Sequence, residues 1–297
     1  MITDDILKQK PLTPSQWGKK IAWRHAIGVV AVAFALFPLV WMISASFDTL
    51  GSLSSQKLIP DKPGLENFHT LLSNPDQPYL KWLRNSIVIS ASNAVLQMFI
   101  GATAAYALSR FRFKGRKLTL MTILVVQMFP QLLAATAIFL MLADLGKSIP
   151  FLALGQTSAL IIVFAGGALG INAWMLKGFY DTIPSEIDES AKVDGASHAQ
   201  IYFRIILPLA RPVLAVITLL SFIGTMNEFL ITSVILGGNQ NAITLAVGMQ
   251  QYIDGQYNAH WGPFAAGALI ASVPVMILFL YLQKHVVSGL TAGANKG

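Results

Sequence analysis

Cysteine is absent from the 297 residues, which excludes disulfides, thiolate nucleophiles and cysteine-ligated metal. Charge is scarce: 12% of residues are Asp, Glu, Lys or Arg, against about 25% in an average soluble domain. There is no Gly-x-x-x-x-Gly-Lys-[Ser/Thr] phosphate loop, because neither Gly18-Lys19 nor Gly146-Lys147 has a glycine five residues before the Gly-Lys pair. The chain therefore offers no nucleotide site of its own. Its five histidines, His25, His69, His198, His260 and His285, are scattered and none forms His-Glu-x-x-His, so no zinc hydrolase and no metal site is expected. No paired catalytic residues occur at a plausible depth for a membrane-embedded enzyme.

What is abundant is apolar. Hydrophobic residues make up 54% of the chain and mean hydropathy is +0.59. Uncharged runs of about 20 residues or more are long enough to cross a bilayer as helices. They place spans at 26–47, 85–109, 118–143, 158–180, 205–236 and 261–287. A cleaved leader is the first alternative for 26–47, but that run is longer than a usual signal-peptide core. The net charge of +7 follows topology rather than nucleic acid, since the bases flank apolar spans instead of interleaving with aromatics in a patch. Lys8, Lys10, Lys19, Lys20 and Arg24 hold the tail 1–25 in the cytoplasm. RFRFKGRK at 110–117 has five bases and no acid, and it reads as a cytoplasmic anchor. The segments 48–84, 144–157 and 237–260 fall outside, the last without a single Lys or Arg, and the tail 288–297 falls inside. The expected architecture is an all-α membrane protein of six transmembrane helices with both termini cytoplasmic. No repeat relates the two halves, so inverted-repeat transporters gain no support.

Polar residues inside the spans are the next signal. Gln127, Pro130 and Gln131 interrupt span three, where polar side chains either re-satisfy a broken backbone or line a pore. Gly166 and Gly170 have the GxxxG spacing, which predicts close helix packing. Asn227 and Glu228 lie within span five, and every other acid is in a loop, a tail or at a span end. An intramembrane carboxylate is a candidate pathway residue by default, although an interhelical hydrogen bond explains it equally well.

The polar island 184–208, PSEIDESAKVDGASHAQIYFRIILP, is the most informative stretch. Ser185 with Asp188 and Ser197 with Gln200 have capping-box spacing, which predicts two short helix starts. Gly195 between them suits a turn with positive φ, and Pro208 forces a bend before the next span. A helix, a glycine turn, a second helix and a membrane entry are expected.

Glu189, Ala191 and Gly195, then Ile205, Leu207 and Pro208, stand at the spacing of the EAA motif, with Ser190 in place of its middle alanine. The chain thus resembles the permease subunits of binding-protein-dependent ABC importers. QMFP at 127–130, TLAVGMQQY at 244–252, WGPFAAGA at 261–268 and GLTAG at 289–293 extend the likeness to the maltose/maltodextrin, MalG-like branch. The resemblance implies a type I ABC importer permease fold in a bacterial inner membrane. It also implies a MalF-like second permease, two ATP-binding (MalK-like) subunits that hold ATP and Mg, and an extracytoplasmic sugar-binding protein. No cofactor is expected in this chain. The EAA residues would dock on the ATPase, and Gly248, Gln250, Gln251, Tyr252 and Gly255 would meet the binding protein. The tail with Gly289, Thr291 and Gly293 would lie along the ATPase dimer. Cargo stays open: trehalose, a glycerol phosphate or another oligosaccharide would suit the same machine. An ion-coupled secondary transporter, which would work as one chain without ATP, is the alternative from another class.

Overall fold

The computed structural model describes residues 18–49, 57–254 and 260–294. Among them the elements are helical, and the one β contact is an isolated bridge between Asp48 and Pro63. In chain order they are α1 (Trp23–Phe47), α2 (Glu66–Ser73), α3 (Tyr79–Arg110), α4 (Arg116–Gln127), α5 (Gln131–Ser148), α6 (Thr157–Gly166), α7 (Ile171–Asp181), α8 (Ser185–Val193), α9 (His198–Ile201), α10 (Arg211–Met226), α11 (Leu230–Leu236), α12 (Leu245–Gln250) and α13 (Trp261–Ala294). Two compact units form, one from Met1–His69 with His260–Leu269 and the other from Thr70–Ala259 with Ile270–Gly297.

In the first unit α1 runs without interruption through Pro38 and buries only Ser44 and Ser46. Its apolar side chains, with Phe34 the most open, are exposed, as suits a surface meant for lipid or another chain. The last turn of a helix leaves carbonyls without partners. Here Gly64 donates its amide to the Phe47 carbonyl at 2.9 Å, and the Asn67 amide bonds the Ser46 and Asp48 carbonyls at 3.1 and 2.9 Å. Gly262 then approaches Asn67 so closely that a Cβ would stand 2.4 Å from its Oδ1.

The second unit is built on α3, whose 32 residues contain no proline and which α6, α7, α10 and α12 pack against. Small residues make the approach close: Ala102 and Ala105 are fully buried, and a Cβ on Gly101 would lie 3.2 Å from the Ala168 carbonyl oxygen. The inner end of this core is a cluster that includes Tyr106, Leu176, Tyr180, Ile201, Tyr202 and Ile206.

The structure breaks three of the expected spans, two of them where the sequence already marked a proline as an interruption or a bend. Span three is two helices, α4 and α5, because Pro130 lacks an amide and takes extended backbone (φ −60°, ψ 121°) as the cap of α5. Gly166 and Gly170 do not form a packing stripe on one continuous helix. A 3₁₀ turn over Gly167–Leu169 separates α6 from α7, Gly166 faces open space, and Gly170 abuts the Gln127 side chain. The long helix of span five starts at Arg211, and the bend expected at Pro208 is present: His198–Leu209 is turned 77° away from Arg211–Met226. Pro208 and Pro212 both lack amide hydrogens, so the helical ladder cannot run through this join. The same span stops again at Asn227 before α11. Four helices among the described residues are long and apolar enough to cross a membrane, or five counting the bent pair, against the six expected.

Candidate functional site

Local rules explain the polar island. Pro184 is the cap of α8, the acids Glu186 and Asp188 lie in its first turn and Lys192 in its last, in the sense that suits the helix dipole. The end of α8 is a Schellman turn: Gly195 donates to the Lys192 carbonyl (3.0 Å) and Ala196 to the Ala191 carbonyl (2.9 Å). This needs positive φ at Gly195, which has φ 82°. Ser197 then starts α9 with the expected capping box, its amide donating to Gln200 Oε1 (2.7 Å) while Gln200 donates back to Ser197 Oγ (3.3 Å). The other expected box is absent. Ser185 lies inside the helix behind Pro184, and Asp188 turns to Arg110 instead of the backbone.

The EAA-spaced residues divide by exposure. Glu189 and Gly195 are exposed, Ala191 is buried, and Ile205, Leu207 and Pro208 are half-buried. Ala191 belongs to the inner core, and Ile205 and Leu207 pack against it, so α8 and the stretch after α9 are anchored from behind. In front, Glu186, Ile187, Ser190, Ala191, Asp194 and Ile205 line a surface depression of about 420 Å³. Val193 beside it is 88% exposed, an open apolar tip among acids. Behind α8 the aromatic rings of Tyr106 and Tyr202 meet at 4.8 Å, and Phe111 stands edge-on to His198 at 5.3 Å.

Arg110, read from the sequence as part of a topological anchor, is instead a contact of this site. Its Nε lies 3.0 Å from Asp188 Oδ2 and its Nη2 donates to the Ile183 carbonyl at 3.0 Å. Nothing in the local sequence around 110 points to Asp188, because the two meet only once α3 and α8 are packed.

A second polar assembly lies on the membrane stretch of the same unit. A cavity of about 470 Å³ is lined by Asn93, Gln97, Asn172, Ser221, Thr225 and Glu228 among apolar side chains. Gln97 organises it: Oε1 accepts from Asn172 (2.8 Å) and Ser221 (2.9 Å), and Nε2 donates to the Phe164 carbonyl at the helix break (3.0 Å). Asn93 donates to Thr225 while its own Oδ1 is buried without a partner among the described residues. Glu228 lines the cavity and caps α11, accepting from the amides of Ile231 (2.7 Å) and Thr232 (2.9 Å) and from Thr232 Oγ1 (2.7 Å). Asn227 does not line it. Its amide folds back on the Ile223 carbonyl of its own helix at 2.9 Å.

Of the residues expected in the outer contact loop, Gly248, Gln250, Gln251 and Tyr252 are described, and two of them face inward. A Cβ on Gly248 would stand 2.3 Å from the Trp82 ring, and Tyr252 is buried edge-on to that ring at 6.5 Å. Burial raises the Tyr252 phenol above its ordinary pKa. Gln250 and Gln251 are half-exposed and bond Asp254 and Gln240. The segment is fastened to α3, where Ser86 Oγ accepts from the Leu245 amide (2.7 Å) and Asn85 donates to the Asn241 and Ile243 carbonyls (both 3.0 Å). Gly255 lies outside the described residues. Gly289, Thr291 and Gly293 fall within the backbone range of α13, at positions whose side chains lie outside the described ones. Among the described residues no group of three acids or histidines could hold a metal ion.

Residues 97–291 match the family described as binding-protein-dependent transport system inner membrane component. The chain is 38% identical over 295 residues to the maltose/maltodextrin transport system permease protein MalG of Vibrio vulnificus (strain YJ016), with 94% of this chain and 98% of that one aligned. It is 40% identical over 263 residues to the galactooligosaccharides transport system permease protein GanQ of Bacillus subtilis (strain 168), covering 88% and 90%. In fold it is similar to a chain in the crystal structure of a bacterial ABC transporter involved in the import of the acidic polysaccharide alginate, with TM-score 0.74, 24% identity and coverage of 93% and 99%.

Proposed function

The chain belongs to the binding-protein-dependent transport system inner membrane components, and from that membership we propose that it forms half of the pathway of an ATP-driven importer of maltose-like oligosaccharides. As a member it is a permease subunit of a bacterial inner-membrane ABC importer, working with a second permease, ATPase subunits and a binding protein. Beyond that, its partners are a MalF-like permease, two MalK-like subunits that hold ATP and Mg, and a sugar-binding protein. It binds no nucleotide itself, crosses the membrane six times with α4 and α5 as one broken span, and keeps both termini inside. Gly289, Thr291 and Gly293 extend toward the ATPase dimer, and Gln250 and Gln251 offer the half-exposed amides of the outer segment to the binding protein.

One observation carries the coupling assignment: α8 presents Glu189 and the depression beside it outward while Ala191 and Ile206 fix it to the core from behind. A surface held this way can take a push. The uncharged amides and hydroxyls around the cavity support a neutral hydroxylated cargo.

Replacing Gly195 with Asp tests the reading. Nothing lies within 4 Å of a Cβ there, and a non-glycine residue at this φ costs about 1–2 kcal/mol, so the subunit should accumulate in the membrane. The added carboxylate would enter a packed contact with the ATPase, and co-purification of that subunit and ATP-driven uptake should both be lost. Wild-type uptake by this variant would overturn the assignment. The likeness to GanQ at 40% identity favours, as the second reading, a different oligosaccharide on the same machine. A sugar-binding screen of the co-purified extracytoplasmic protein separates the two.

A further inference from the structure

We propose that Arg110 is a positioning residue that makes the coupling helix α8 and the cavity-lining helix α3 move as one piece. This rests on the reading of α8 as the ATPase contact and extends it to a residue outside the EAA-spaced set. Of the five bases in 110–117, Arg112, Lys114 and Lys117 are exposed, whereas the Arg110 side chain is 14% exposed against 8% for Asp188. Its planar guanidinium reaches two points at once, one as an ion pair that lacks hydrogen-bond geometry and one as a hydrogen bond. Nε faces Asp188 in the first turn of α8, and Nη2 bonds the carbonyl of Ile183 just before that helix begins. A lysine could supply the charge but not this fork. Next to it, Ser109 donates to Asp181 Oδ1 at 2.7 Å, tying the end of α3 to the end of α7 as well.

A paired charge in such a place gains little over an apolar pair of the same shape, yet removing one partner strands the other. Geometry is what the pair secures. What it secures is a span of this unit that stays whole. The partners packed on α3 are interrupted, α6 from α7 at Gly167–Leu169 and α10 from α11 after Met226. α3 runs unbroken from Arg110 past Gln97 and Asn93 in the cavity to Ser86, which holds the outer segment. At about 1.5 Å per residue, Gln97 lies roughly 20 Å from Arg110 along the axis. A displacement of α8 gripped through Arg110 reaches the cavity without crossing a hinge.

The test uses the assembled importer in liposomes with its binding protein. Arg110→Gln and Asp188→Asn should each leave ATPase co-purification intact while lowering ATP-driven uptake about tenfold, the range of a broken coupling term. Binding-protein-stimulated ATP hydrolysis should fall in parallel, with basal hydrolysis retained. The reversed pair, Arg110→Asp with Asp188→Arg, should recover uptake to within about threefold, the partial return expected of a re-formed pair. Wild-type uptake in the single variants would overturn the proposal, as would loss of uptake only in step with loss of the ATPase and no recovery on reversal. If Arg110→Gln does not accumulate, Arg110→Lys decides: normal association with reduced uptake supports the two-point grip, and unchanged uptake refutes it. Failure here alongside the expected Gly195→Asp phenotype leaves the coupling assignment standing. Wild-type uptake in Gly195→Asp removes both.

Discussion

Glu228 lines the cavity and caps a helix at once, where the sequence offered a pathway role or an interhelical hydrogen bond. Its carboxylate answers the unpartnered amides at the start of α11, and the same side chain lines the cavity. Hydrogen bonds to a charged acceptor are worth about 1.5–3 kcal/mol, and glutamine keeps only one of the two acceptor oxygens. Glu228→Gln should therefore lower the thermal midpoint of the purified complex and slow uptake, while the subunits still co-purify. Thr232→Val, which removes only the hydroxyl donor, should do the same by a smaller step. Complete loss of assembly in the glutamine variant would assign the residue to structure alone. The sequence disclosed that Glu228 was unusual, because a carboxylate in an apolar run is costly. It did not disclose the partner, which exists only because the helix stops at Asn227. Gly248 and Tyr252 were misleading in the opposite sense: they stand in a motif of the outer loop, yet their surroundings are the Trp82 ring.

At the scale of elements, what could be read ahead was local. Positive φ at Gly195 and the Ser197 box depend on residues within a few positions of each other, so the sequence carries them. Ser185 fails as a cap because Pro184 takes the position and Arg110 claims Asp188, the second of which is a tertiary event. The same distinction explains the spans. Composition locates apolar runs and Pro130 marks an interruption, but neither tells that the run becomes two separate helices or that glycines at 166 and 170 flank a turn instead of a packing face. The Ser197 box predicts a measurable result. Its loss in Ser197→Ala should cost about 1 kcal/mol, speeding amide exchange at residues 198–201 and reducing coupled ATP hydrolysis without affecting membrane insertion. Unchanged exchange there would show that the core contacts of Ile201 and Tyr202, not the cap, hold α9.

For the whole molecule, membership of the importer permease family implies partner ATPase subunits, and the reading that this chain lacks a nucleotide site of its own can be tested directly. Reconstituted alone, the subunit should give no sugar uptake under a proton or sodium gradient and no saturable ATP–Mg binding by calorimetry. The complex with ATP on the ATPase side should transport. Gradient-driven uptake by the single chain would restore the secondary-transporter alternative. The fold class was the most legible property of all, since an apolar, charge-poor chain has few options besides helices that satisfy their own backbone.

The gap between α10 and α11 has a mechanical meaning. A rod interrupted by three residues cannot carry axial load like a piston, and the Glu228 bonds, all made to Ile231 and Thr232, fasten that carboxylate to the far piece alone. The joint lies at the edge of the cavity, so a load reaching it would be turned instead of passed straight on, with Glu228 carried on the α11 side.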